Sequence, residues 1–134
     1  MAFLWTKDME TGHKLIDDEH KKLIKAADDL VAACAAGKGR QELGGAVDFL
    51  LNYTRTHFSH EEDLMLRYKY PGYNGQISWH RPYVSAIEEV SKKLKEQGAN
   101  IALVAEVNLK VSELITHIKT MDVHLAKFLN SQAK

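Results

Sequence analysis

The chain has 134 residues, 45% of them hydrophobic, with 18 lysines and arginines balanced by 18 aspartates and glutamates. That length fits one domain (1–134) with a substantial core, and the zero net charge excludes a global electrostatic pull toward nucleic acid or an anionic membrane. Cys34 stands alone, which rules out an intramolecular disulfide and fits a reducing compartment. No apolar run approaches the length of a membrane span and the N-terminus lacks a signal-peptide layout, so a cytoplasmic location is expected.

Taken in chain order, the apolar periodicity predicts an all-α, up-down-up-down four-helix bundle with an N-terminal arm. The arm covers residues 1–15, with Leu4 and Trp5 available to pack. A first helix over about 17–36, capped by Asp17 or Asp18, places Ile16, His20, Leu23, Ile24, Ala27, Leu30, Val31 and Cys34 on one stripe. Gly37-Lys38-Gly39 ends it. A second helix covers about 41–67, and Tyr70-Pro71-Gly72-Tyr73-Asn74-Gly75 breaks it. The third, about 76–97, carries His80, Tyr83, Val84, Ile87, Val90 and Leu94, with Pro82 near its start, where a missing N–H costs little. The fourth, about 101–129, turns Leu103, Val107, Val111, Leu114, Ile118, Met121, Leu125 and Phe128 inward.

Each helix also carries metal-ligand residue types on or beside its apolar stripe. His57 and Glu61 lie four apart, hence one turn apart on one helix face, among Val47, Leu50, Thr54, Phe58, Leu64 and Met65. An imidazole and a carboxylate facing a core are costly unless satisfied, and a metal ion is one such partner. His20, Gln76 with His80, and His117 with Asp122 repeat the pattern on the other three helices. Mixed imidazole and carboxylate donors suit iron, manganese or zinc, and bridging carboxylates suit a two-metal site. A lone inward histidine is more commonly a core residue bonded to a carbonyl; the convergence of four helices is what favours metal. One spacing is irregular: His117 and Asp122, five apart, lie about 140° apart around a regular helix, whereas His117 and His124 share a face. For Asp122 to join, the helix must open locally, or the two groups must reach a metal pair from different sides.

Together these residues resemble the hemerythrin family, specifically its single-domain bacterial members. The resemblance rests on Trp5, Ile16-Asp17-Asp18-Glu19-His20-Lys21-Lys22-Leu23, His57-Phe58 through Glu61-Glu62, Tyr70-Pro71-Gly72, His80 with Tyr83, and His117-Ile118 followed by Asp122. It implies a left-handed four-helix bundle around two non-haem iron ions with a bridging oxo or hydroxo group. His20 and His57 would hold one iron, His80 and His117 the other, and Glu61 and Asp122 would bridge them. Molecular oxygen would bind at the open position of the iron held by His20 and His57, in a dry apolar pocket.

The sequence departs from the family pattern at Gln76, where a further histidine is expected. Glutamine offers an amide oxygen, a weaker iron ligand than imidazole. Gln76 then coordinates through oxygen, yields its place to water, or leaves the second iron weakly held. The function expected is reversible oxygen binding for storage, delivery or buffering. The alternative is oxidase- or peroxidase-like activity, or oxygen, redox or iron sensing, arising from a more open site at Gln76. Outside the pattern, His13 reads as surface, His60 as solvated in preference to orienting a ligand, and His124 as a substitute nitrogen donor only as the lesser option.

Overall fold

The apolar stripes fold as helices that close on one another. In the computed structural model, which describes residues 3–132, α1 spans Lys14–Ala35, α2 Arg40–Arg67, α3 Tyr73–Gln97 and α4 Ile101–His117. Residues 1–2 of the expected arm and residues 133–134 lie outside those described. α4 continues through a π-helical turn, Ile118–Asp122, into α5, Val123–Gln132, so the three form one fourth rod. α1 packs on α2, α2 on α3, α3 on α4 and α4 back on α1. Joined by short connections, the rods make an all-α up-down-up-down four-helix bundle.

The helix ends show how local chemistry sets the boundaries. The α1 cap is His13, whose ring Nδ1 accepts the Ile16 N–H at 3.4 Å; neither Asp17 nor Asp18 caps. Asp17 instead folds back on the arm, accepting the Thr11 N–H at 3.0 Å, the Thr11 hydroxyl at 2.7 Å and the Gly12 N–H at 3.2 Å. α2 ends in a left-handed residue, Lys69 at φ 54°, with the Tyr70 N–H bonded to the Met65 carbonyl at 2.9 Å. α3 begins three residues earlier than expected, because Tyr70, Pro71 and Gly72 suffice for the break and Tyr73, Asn74 and Gly75 form its first turn. Pro82 is therefore inside α3, not near its start, and the helix carries through it without the bond that its N–H would have made.

Two apolar clusters bracket the bundle interior. The larger joins Leu23, Leu30, Leu43, Leu50, Val90, Leu94, Val107 and Leu114, and the smaller joins Ile16, Met65, Leu125, Ala126 and Leu129. In α1, α2 and the fourth rod, buried polar residues fall between the two clusters in chain order: His20, Glu61 and Asp122. Beyond the π-turn the stripe shifts. Ala126 and Leu129 are buried, while Met121 and Phe128, expected inward, are only partly covered. Trp5 packs against the larger cluster, but Leu4 is 67% exposed. Met9, which the periodicity did not single out, is buried from a short 3-10 turn, Lys7–Met9, that packs on the π-turn.

Replacing Asp17 by Ala is expected to destabilise the fold by about 2 kcal/mol, because it strands the arm's donors. Asp18→Ala, which breaks only the exposed pair with Lys14, is expected to cost less than about 0.5 kcal/mol. Urea unfolding midpoints of the two variants check this contrast.

Candidate metal centre

His20, His57, Glu61, Gln76, His80, His117 and Asp122 meet in the polar layer, each no more than 2% exposed. α1 supplies His20, α2 supplies His57 and Glu61, α3 supplies Gln76 and His80, and the fourth rod supplies His117 and Asp122. The four-helix convergence expected from the stripes is therefore present in space.

The carboxylates divide the layer into two halves. Glu61 turns Oε2 toward His57 Nε2 (3.2 Å) and His20 Nε2 (3.7 Å), and Oε1 toward His80 Nε2 (3.4 Å). Asp122 turns Oδ2 toward His20 Nε2 (3.0 Å) and Oδ1 toward His117 Nε2 (3.2 Å). Each carboxylate thus addresses one histidine pair with each oxygen. Donor atoms of His20, His57, Glu61 and Asp122 lie within 4.8 Å of one another, as do those of His80, His117 and Asp122.

These close approaches are not aligned as hydrogen bonds. Nε2 of all four histidines, both Glu61 oxygens and Asp122 Oδ2 are buried without a hydrogen-bond partner among the described residues. Stranding so many groups in a dry interior would be costly, whereas one or two cations would satisfy them together. The donor set, with no thiolate, fits iron or another first-row ion.

Three residues that sequence reasoning did not single out fix the rings. Glu19 accepts from His57 Nδ1 at 2.8 Å and from His60 Nδ1 at 2.6 Å. Glu62 accepts from His80 Nδ1 at 3.1 Å. A carboxylate on Nδ1 holds the tautomer that leaves Nε2 free to coordinate. Trp79 stacks on His117 at 3.8 Å, and Phe58 lies parallel to His80 at 3.7 Å. Glu19 and Glu62 fall inside the motif segments around His20 and Glu61, where the sequence alone assigns them no role. His60, 45% exposed, is both solvated and tied to Glu19, and His13 is the α1 cap.

The irregular spacing is resolved by the π-turn. It widens the helix so that residues five apart align, bringing Asp122 inward beside His117 and leaving His124 exposed. His124 is therefore not a substitute donor. Within the turn, the Thr120 hydroxyl donates to the Thr116 carbonyl at 2.7 Å. Gln76 lies with the ligand types, its Nε2 donating to Asp122 Oδ1 at 3.1 Å and its Oε1 unpartnered.

Imidazoles and carboxylates that converge in a helical bundle define a cation-binding protein of the four-helix class. The comparisons narrow this: the family model for the hemerythrin HHE cation binding domain matches residues 11–129, and the chain belongs to that family. It is 28% identical to a myohemerythrin of Sipunculus nudus over 90% of this chain and 88% of the relative. It is 30% identical to a bacteriohemerythrin of Stenotrophomonas maltophilia (strain R551-3) over 66% of this chain and 58% of the relative. A bacteriohemerythrin of Pseudomonas aeruginosa (strain LESB58) is 36% identical over 48% of this chain and 42% of its own.

Without metal, the layer is an array of opposite charges. Burial opposes charge on His57, yet the nearby Glu61 carboxylate and the bond to Glu19 push its pKa up to about 10. His20 shifts upward for the same reasons, with Asp122 and Glu61 outweighing burial. Burial also opposes ionisation of Glu61, but the facing histidines hold its carboxyl well below the usual range. Protonated His57 therefore stabilises the metal-free fold fully below about pH 6.5, its unfolded value, and this is lost as pH rises through about 10. Melting temperatures in chelator should accordingly fall from pH 7 to pH 10, with a shallower slope in His57→Gln.

Proposed function

We propose that this protein is a non-haem di-iron protein that binds molecular oxygen reversibly, for storage, delivery or buffering. The observation that carries the reading is the division of each buried carboxylate between two histidine pairs. His20 and His57 would hold one iron and His80 and His117 the other, with Glu61 and Asp122 shared between the two and a solvent-derived oxo or hydroxo group completing the pair. The iron pair, when bound, supplies reversible two-electron exchange with oxygen.

The chain's own residues create the conditions for that exchange. Glu19 Oε1 and Glu62 Oε2 hold the Nδ1 protons of His57 and His80, which keeps Nε2 of each ring free for metal. Leu23, Phe58, Leu114 and Ile118, all buried, keep water from the layer. Trp79 fixes the plane of His117, whose Nδ1 has no hydrogen-bond partner. A cytoplasmic location is part of the same proposal; among the described residues, no helix is long and apolar enough to cross a membrane.

Ferrous iron loaded anaerobically, followed by admission and removal of oxygen, is expected to give a visible charge-transfer band that appears and then vanishes. A spectrum that turns ferric and stays so would overturn reversible binding.

Gln76 favours a second reading, oxidase- or peroxidase-like chemistry or sensing at a more open site. Its amide is neutral and already donates to Asp122, so it replaces an imidazole without supplying a strong donor. Gln76→His is expected to raise retention of the second iron and lengthen the lifetime of the oxygen-dependent band. Unchanged iron content and lifetime would show that Gln76 does not limit the site.

A further inference from the structure

Depressions in the surface approach the His80–His117 half from several sides. One is walled by Phe58 and His80, another by Trp79 and His117. A third, of about 360 Å³, opens between the first turn of α3 and the π-turn. Gly72, Gly75 and Gln76 form one wall, and Thr120, Met121 and His124 the other. All three are lined by a buried polar side chain with an unpartnered atom, and in the third that side chain is the amide of Gln76.

Gln76 is 1% exposed, yet it lines this pocket, so the pocket reaches a side chain of the donor layer. Nε2 is committed to Asp122 Oδ1, which fixes the amide plane, and Oε1 is left without a partner. Two backbone features keep the pocket open. On one side the helix is widened by the π-turn, and on the other a Cβ added at Gly75 would meet nothing within 4 Å. A first-row ion in this half draws on His80, His117 and one oxygen from each bridging carboxylate. A solvent-derived bridge adds one more, which in an octahedral set leaves a place unfilled.

We propose that this pocket is a port through which a small inorganic ligand reaches the His80–His117 iron. Gln76 is its inner post: Nε2 anchors to Asp122, and Oε1 accepts a hydrogen bond from the resident ligand, which is water at rest. The inference rests on the di-iron reading and deepens it. Oxygen is expected at the His20–His57 iron, so the port adds a second exchangeable position on the opposite half. The exposed His124 is part of the pocket's lining.

The test uses the full chain loaded with iron and oxidised, with sodium azide as the probe. Iron is counted first; bound azide is then counted by calorimetry and by its ligand-to-iron absorption. Wild type is expected to take two azides per iron pair and Gln76→His only one. Gly75→Leu, whose side chain grows into the open pocket, is expected to slow association of the second azide by an order of magnitude and leave the first unchanged. A single azide in wild type holding two irons overturns the port alone. Two azides bound with equal rate and affinity in all three proteins overturns it as well. Fewer than two irons in wild type overturns the di-iron reading and the port with it.

Discussion

Everything in this bundle is arranged around two carboxylates, Glu61 and Asp122, buried to within 1% of full coverage. Taking one such charge out of water costs several kcal/mol even after relaxation, and removing its partner costs about 3–5 kcal/mol more. A fully buried leucine returns about 1.5–3 kcal/mol. A polar layer of this kind therefore persists only when oppositely charged partners surround it and apolar clusters flank it, and both conditions are met here. Ile16, Met65, Leu125 and Leu129 close one side, and Leu23, Leu50, Val107 and Leu114 close the other. The imidazoles between them compensate the carboxylates whether a proton or a metal ion supplies the positive charge.

That constraint explains why rigid rods carry the site. A donor displaced by one ångström would lose its cation and become an unpaired buried group. The rings of His57, His80 and His117 are accordingly held twice, by the helix and by a second contact from elsewhere in the bundle. Glu19 on α1 holds His57 on α2, and Glu62 on α2 holds His80 on α3. Trp79 on α3 stacks against His117 on the fourth rod. The tethers run between neighbouring helices, so the interactions that orient the donors also fix the helix pairing.

Most of the fold was legible because a 3.6-residue stripe is a local property, and α1, α2 and α4 start or end within a few residues of where their stripes place them. The donors were legible for the same reason: His57 and Glu61 share a face by spacing alone. The failures share a cause too. His117 with Asp122 misled the periodicity because the π-turn alters the period itself, which also misplaced Met121 and Phe128. Asp17 looked like a cap but bonds the arm, since His13 had already taken the cap position. Glu19 and His57 are 38 residues apart, so their bond has no local signature. Met9 is buried by the tertiary seat of the arm, which a three-residue turn cannot announce.

The position of Gln76 shows how a site can change its chemistry without disturbing its fold. A neutral imidazole and a primary amide carry the same charge, so exchanging one for the other leaves the balance around Glu61 and Asp122 intact. The amide also makes a contact of its own, because Nε2 donates to Asp122 Oδ1. What is lost is a nitrogen lone pair aimed at a metal, which the folded chain does not need for stability. Packing thus tolerates the glutamine, while the coordination sphere it borders becomes unequal to its partner. The two halves, built from the same pair of carboxylates and matching pairs of histidines, are distinguished by this one side chain.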